Sequence, residues 1–220
     1  MLFRSREREA IRAGSFAAGS SIRIICINGA DLQSKGGKGG SGGGAIYDNE
    51  VGWTTSKGTS PQAGGTVYSA DGIDTSIYLS GSIDTYTADG YIRAAGGGGA
   101  GTAANINSIS DYGGGNGGGG GAGVDVGAGG AGGDAVVVGI DITGGSGNAG
   151  TETGTGGAGN SSVYNPVPSM AGGDWGQAGG SNSYHTGGAA GKGIVKNGAT
   201  VTIFGGNASR FINGNGDTPD

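Results

Sequence analysis

The sequence predicts a bundle of polyglycine II helices, of the polyproline II type with three residues per turn, carrying short flanking β-strands and almost no α-helix. Glycine fills 59 of 220 positions, about four times its usual share. Hydrophobic residues make up 34% of the chain and aromatics 6%, too little for a conventional large oily core. The run GAGGAGGD at 127–134 supplies the period. At three residues per turn, Gly127, Gly130 and Gly133 share one face, Gly129 and Gly132 a second, and Ala128, Ala131 and Asp134 the third. Two bare faces imply burial between neighbours, where backbone N–H and C=O groups of adjacent helices bond directly.

Two other readings of the glycine excess fit less well. A disordered low-complexity chain does not account for strand-like segments such as SIRIICIN at 21–28 and ATVTIF at 199–204. Collagen needs glycine at every third position and abundant proline, and four prolines exclude it.

Three regions follow in chain order: an N-terminal strand or attachment region (1–35), the glycine-rich bundle with its connecting loops (36–193), and a C-terminal strand region (194–220). MLFRSREREAIRAG at 1–14 has no continuous apolar stretch, so neither a signal peptide nor a membrane span is expected there; a frayed helix or a strand remain open. In SIRIICIN, Ile22, Ile24 and Cys26 alternate with Arg23, Ile25 and Ile27, the period-two pattern of a strand. Glycine runs are expected near 36–44, 96–101, 113–133, 144–159, 171–180 and 187–193. The longest insertion, 45–95, contains GIDTSIYLS and SIDTYTADG, two short strands expected to pair. Pro166 and Pro168 mark a loop. Val201 and Ile203 alternate with Thr202 and Phe204, a strand expected beside the SIRIICIN strand as a base.

Charge is uneven. Residues 1–38 carry seven basic and three acidic groups, residues 39–191 two basic and twelve acidic. An acidic middle argues against a nucleic-acid groove, which needs clustered Lys and Arg, and leaves the chain ends as the docking side.

Motifs for chemistry are weak. Gly127, Gly129 and Gly132 fit a dinucleotide fingerprint, but at this glycine frequency chance gives about four such matches. GAAGKG at 188–193 lacks the phosphate-loop spacing and the hydroxyl after Lys192. GGAGGDAVV at 129–137 matches the calcium-binding nonapeptide of β-rolls once, and GGAGVDVGA before it matches except at the apolar position. Asp125 and Asp134 are thereby the alternative metal ligands, although a roll needs more tandem copies, and no metal or other cofactor is expected. His185 and Cys26 are the lone representatives of their types and lie far apart in sequence; no catalytic residues are assigned and the chain is not expected to be an enzyme. The scarce rings carry more information. Tyr47, Trp53, Tyr68, Tyr112, Tyr164, Trp175 and Tyr184 fall in connectors beside Ser, Asn and Gly, a composition typical of binding loops that combine rigid anchors with adaptable polar groups.

The segments AIRAGSFAAGSSIRIICINGADLQSKGGKGGSGGG at 10–44 and GGAAGKGIVKNGATVTIFGGNASRFING at 187–214, with the GG-A-GG runs between them, resemble the glycine-rich receptor-binding regions of tailed-phage tail-tip and tail-fibre adhesins. The resemblance implies a stack of polyglycine II helices on a virion tail tip or fibre, outside the cell, whose distal loops bind a bacterial outer-membrane protein or surface glycan and whose other partners are tail or tail-fibre subunits. It makes the loops around Trp53, Tyr112, Tyr164, Trp175, Tyr184 and His185 the candidate receptor-binding residues. No segment of this sequence is recognised as the fibre-attachment domain of the small adhesins. Two other readings are a self-assembling, filament-forming glycine-rich protein and an ice-binding protein with flat regular faces; the irregular aromatic loops speak against the latter.

Overall fold

A computed structural model describes residues 9–17, 19–48, 51–108, 111–137, 140–162 and 165–220. The expected fold class is corrected: the described residues form seventeen β-strands in six sheets and no helix, so the fold is all-β and not a polyglycine II helix bundle. The physical reason lies in the short apolar segments between glycine runs. Each is only two to five residues long, but each finds a strand partner, and the sheets so formed hold both hydrophobic cores.

Three passes of the chain build the larger core. The first contributes β1 (Glu9–Arg12), β2 (Ser21–Ile25) and β3 (Asp31–Gln33). Between the first and second passes lie β4 (Ala45–Asp48) and β5 (Gly52–Thr55). The second pass contributes β6 (Thr66–Ser69), β7 (Asp74–Tyr78) and, after the hairpin of β8 (Gly81–Ile83) and β9 (Tyr86–Ala88), β10 (Tyr91–Arg93). Four strands then precede the third pass: β11 (Asn105–Ser108), β12 (Asp111–Gly113), β13 (Asp134–Val137) and β14 (Ile140–Thr143). The third pass is β15 (Lys192–Val195), β16 (Val201–Phe204) and β17 (Phe211–Ile212).

Every pass gives one strand to each of three parallel sheets, ordered β1-β6-β15, β16-β7-β2 and β17-β10-β3, and the second-pass strand is always central. In register, Tyr68 lies between Ile11 and Ile194, Ile77 between Ile24 and Ile203, and Ile92 between Leu32 and Phe211. These rows pack into one cluster, and matched apolar neighbours on adjacent strands stabilise a sheet. Tyr68 is fully buried, its hydroxyl 2.8 Å from Thr75 Oγ1, so the core holds one of the rings expected in loops.

Two local expectations change with this arrangement. The 201–204 strand does share a sheet with the 21–25 strand, but β7 separates them. GIDTSIYLS and SIDTYTADG do not pair with each other: β7 pairs with β2 and β16, and the second copy folds into the β8–β9 hairpin. The residues before Glu9 lie outside the described ones.

The glycine runs lie outside the strands and run side by side. Residues 114–122 form the central run, bonded through the backbone to 36–44 (Gly115 to Gly43, Gly118 to Gly40, Gly121 to Gly37), to 96–102 (Gly99 to Gly119) and to 127–133 (Gly130 to Gly118). The same run bonds to 144–151 (Gly117 to Gly145, Gly120 to Asn148), to 156–159 (Gly157 to Gly120) and to 169–173 (Gly119 to Met170). A Cβ on Gly119 would meet the Gly157 oxygen at 1.8 Å, and one on Gly120 the Gly127 oxygen at 1.7 Å. Backbone therefore excludes water from backbone, and the N–H groups of the central run from Gly114 to Gly123 bond to neighbouring segments or to Thr102 Oγ1, as burial demands. No helix of the described residues is long and apolar enough to cross a membrane.

Candidate functional site

The direction of each run sorts the connectors between two ends. Runs 36–44 and 96–102 leave the neighbouring strands β3 and β10 in parallel, with Gly37 bonded to Gly96, Gly40 to Gly99 and Gly43 to Thr102. Run 127–133 follows the same direction, since Gly39 bonds to Ala128 and Gly42 to Ala131. The returning runs are antiparallel to these, as with Gly144 to Gly133, Gly147 to Gly130 and Gly150 to Gly127. The described residues of segments 45–55, 103–113, 134–143, 160–169 and 181–186 consequently gather at the end remote from the three parallel sheets, here the distal end. Turns 123–126, 151–155 and 174–177 return to the sheets, at the proximal end, where Gly176 N–H bonds to the Ala94 carbonyl.

The distal end has its own small core. Sheet β14-β13-β4-β5 places Ala45, Ala135 and Val137 against Tyr112 of the β11–β12 hairpin. Alternation along β4 and β5 turns Tyr47 and Trp53 to the same face as Ala45. The Trp53 ring sits 5.4 Å from Tyr47 and 5.5 Å from Tyr112, both tilted, the geometry favoured between aromatic rings. Tyr112 is buried, and Trp53 and Tyr47 are half-buried. These three rings brace the distal connectors from beneath.

Tyr184 and His185 belong to the same end in a different setting. Asn182 Oδ1 accepts from the N–H groups of Tyr184 and His185 at 2.9 and 3.0 Å, and Asn182 Nδ2 donates to the Gly101 carbonyl at 2.8 Å. The His185 ring lies between Ser60 and the Lys57 carbonyl, with Nε2 2.7 Å from the latter. That distance makes Nε2 the protonated donor. Tyr184 points outward with 47% of its surface exposed.

Trp175 is placed elsewhere. It occupies the 174–177 turn at the proximal end, half-buried, with the Arg93 guanidinium 6.0 Å from its ring. Gly154 lies so close beneath it that a Cβ there would meet the indole at 2.0 Å. Arg93 also stacks on Tyr91 at 4.5 Å and pairs with Asp31 at 2.7 Å, and burial raises the Asp31 carboxyl against the lowering effect of its bonds to Gln33 and Arg93. Tyr164 lies outside the described residues.

Sequence reasoning by aromatic content missed the exposed aliphatics. Ile46, Val51, Ile140 and Val167 all stand on distal connectors, each more than half exposed. Ile46 alternates with Ala45 and Tyr47, so the period of β4 assigns it to the opposite, outward face; that signal was in the sequence. An open groove of about 520 Å³ on this face is lined by Ile46, Thr54, Thr55, Ser56, Asp134 and Val136 among others. A larger hollow of about 750 Å³ at the proximal end runs past Phe16 and the Arg12–Asp71 ion pair.

Asp125 and Asp134 do not meet. Asp125 sits in the proximal 123–126 turn with φ +49, whereas Asp134 opens β13 at the distal end and accepts from the Thr143 hydroxyl at 2.8 Å. Cys26 is buried in the proximal core, where desolvation pushes its thiol up to about 11.

No protein-family model matches the chain, and no curated protein matches it. Among solved structures, it is similar to one described as the gp37–gp38 adhesin tip complex of the bacteriophage S16 long tail fibre, at 22% identity and a TM-score of 0.52. The likeness covers 93% of this chain and 63% of that one. This chain thus spans less than two thirds of the length of its structural neighbour, and at that identity the shared property is the fold.

Proposed function

We propose that the chain is a receptor-binding adhesin of a tailed bacteriophage, working at a tail tip or tail fibre outside the cell. In this reading the distal end faces the host, contacting an outer-membrane protein or a surface glycan, and other tail or fibre subunits hold the molecule from the proximal side. The reading assigns no catalytic step to any residue.

One observation carries the proposal: five separate connectors converge on one end, and four of them present Ile46, Val51, Ile140, Val167 and Tyr184 to solvent. Exposed large apolar side chains gathered on one region mark interaction surfaces, and loops held on a rigid scaffold are where binding residues concentrate. The distal rings Trp53, half-buried, and Tyr112, buried, act in this account as supports, Tyr184 as a contact, and His185 as the brace that holds the Tyr184 loop against residues 57–60. The fold it shares with a phage fibre adhesin tip is consistent with this use, as are the resembling terminal segments.

The test is direct binding. Fluorescently labelled protein is incubated with a panel of bacterial strains; the proposal expects saturable binding to a subset of them and competition by unlabelled protein. Uniform weak binding to every strain, or none to any, would sink it.

A further inference from the structure

We propose that Asn116 is a positioning residue: from inside the glycine runs it sets the conformation of the 165–169 segment and so the place of Val167 on the distal surface. The inference rests on the distal end being the recognition surface, and it adds how one of its loops is held.

Asn116 interrupts the run GGGNGGGG and is fully buried. Its Nδ2 donates to the carbonyls of both Asn165 and Val167 at 2.9 Å, and its Oδ1 accepts from Gly145 N–H at 2.9 Å. Its own N–H is held by Thr102 Oγ1 at 2.8 Å. Both donors of the side-chain amide are committed to a single loop. That loop has a particular need of them. Pro166 and Pro168 carry no N–H, so the segment lacks two of the donors with which a loop would bond internally, and the carbonyl ahead of each proline bonds to the run beneath.

Asn165, itself 1% exposed, reaches the other way, donating from Nδ2 to the carbonyls of Ala103 and Gly114 at 3.0 and 3.2 Å. Ser169 Oγ donates to Gly117 O at 2.6 Å and receives the Asn160 N–H. The loop is thus tied at three points to the same central run, with Asn116 bridging its two proline-flanked carbonyls. An alanine at 116 would fit the space but take the side-chain partner from the Val167 carbonyl and the Gly145 N–H and one of two donors from the Asn165 carbonyl, and buried unpaired groups are costly. Two of the three side-chain bonds of Asn116 go to this loop and one to a neighbouring run, so loop order is the feature this residue chiefly controls.

Hydrogen exchange of the intact chain, read as protection factors, tests the assignment. Asn116→Ala is expected to lower protection at Ser162 and Asn165 by about tenfold, to leave Ile77 and Ile92 in the parallel sheets unchanged, and to weaken cell binding. Asn116→Asp keeps the shape but loses both donors at neutral pH. Acidification returns one O–H donor to that variant, so its loop protection recovers as pH falls while that of the alanine variant does not. Unchanged loop protection in both variants, or equal loss at Ile77 and Ile92, overturns the proposal. If Asn116→Ala fails to fold, the pH dependence of Asn116→Asp decides alone, and loop protection that does not change between neutral and acid pH in that variant overturns the assignment. Wild-type protein that binds no cells would defeat the recognition reading instead, and the exchange measurements would still decide whether Asn116 orders the loop.

Discussion

At Gly119 a single methyl group would collide with a carbonyl oxygen on a neighbouring run, and neither backbone can yield without breaking its own lateral bonds. Gly119→Ala is therefore expected to cost about 3 kcal/mol, the upper part of the usual range for overpacking, seen as a lower denaturant midpoint. Ala131→Ser, on the exposed side of its run, should leave the midpoint unchanged. Cys26 gives a chemical readout at the same scale: with its thiol held near 11 by burial, alkylation at neutral pH should be negligible in the native protein and rapid in denaturant. Asp71 titrates in the opposite sense. The bond from Arg12, with that from Ser69 next, holds its carboxyl below the ordinary range. A depressed native pKa gives stability that is present above the unfolded value and lost as pH falls through the native one. The acid limb of a stability profile should accordingly flatten in Asp71→Asn.

Among the elements, the strands SIRII and VTIF were legible because alternation is a local signal, and the glycine runs were legible from composition. Their arrangement was not. Ile24, Ile77 and Ile203 are partners across intervals filled by runs of unequal length, so no fixed spacing announces the row they form. The missed signal was chemical: Asn28-Gly29, Asp71-Gly72 and Asn197-Gly198 each turn the chain with two successive positive φ values, and such pairs mark tight turns between strands. At the site, aromatic content led to Trp53, Tyr112, Tyr184 and His185, which do lie on distal connectors, and equally to Trp175, which lies at the other end; ring count carries no information about which end a turn faces. Because Ile77 is fully buried at the centre of its row, Ile77→Ala should cost about 2–5 kcal/mol in a thermal or denaturant titration. Trp53→Ala should loosen the distal sheet, detected as faster amide exchange in β4 and β13 with the parallel sheets unaffected.

For the whole molecule, the two ends have different interiors. The proximal end is a layered apolar core closed by three sheets, and the distal end is a small aromatic core under outward-facing aliphatics, with runs of bare backbone spanning between them. Asn116 apart, the described backbone bonds between these runs join the two ends without side chains, so distal substitutions are expected to leave the base intact. The measurement that tests this division most directly compares cell binding by two multiple variants of matched thermal stability. One carries Ile46→Ser, Val51→Ser, Val167→Ser and Tyr184→Ala at the distal end, and the other Phe16→Ser and Tyr86→Ser at the proximal end. The account predicts that the first loses cell binding while the second keeps it; retained binding by the first, or loss confined to the second, would contradict it.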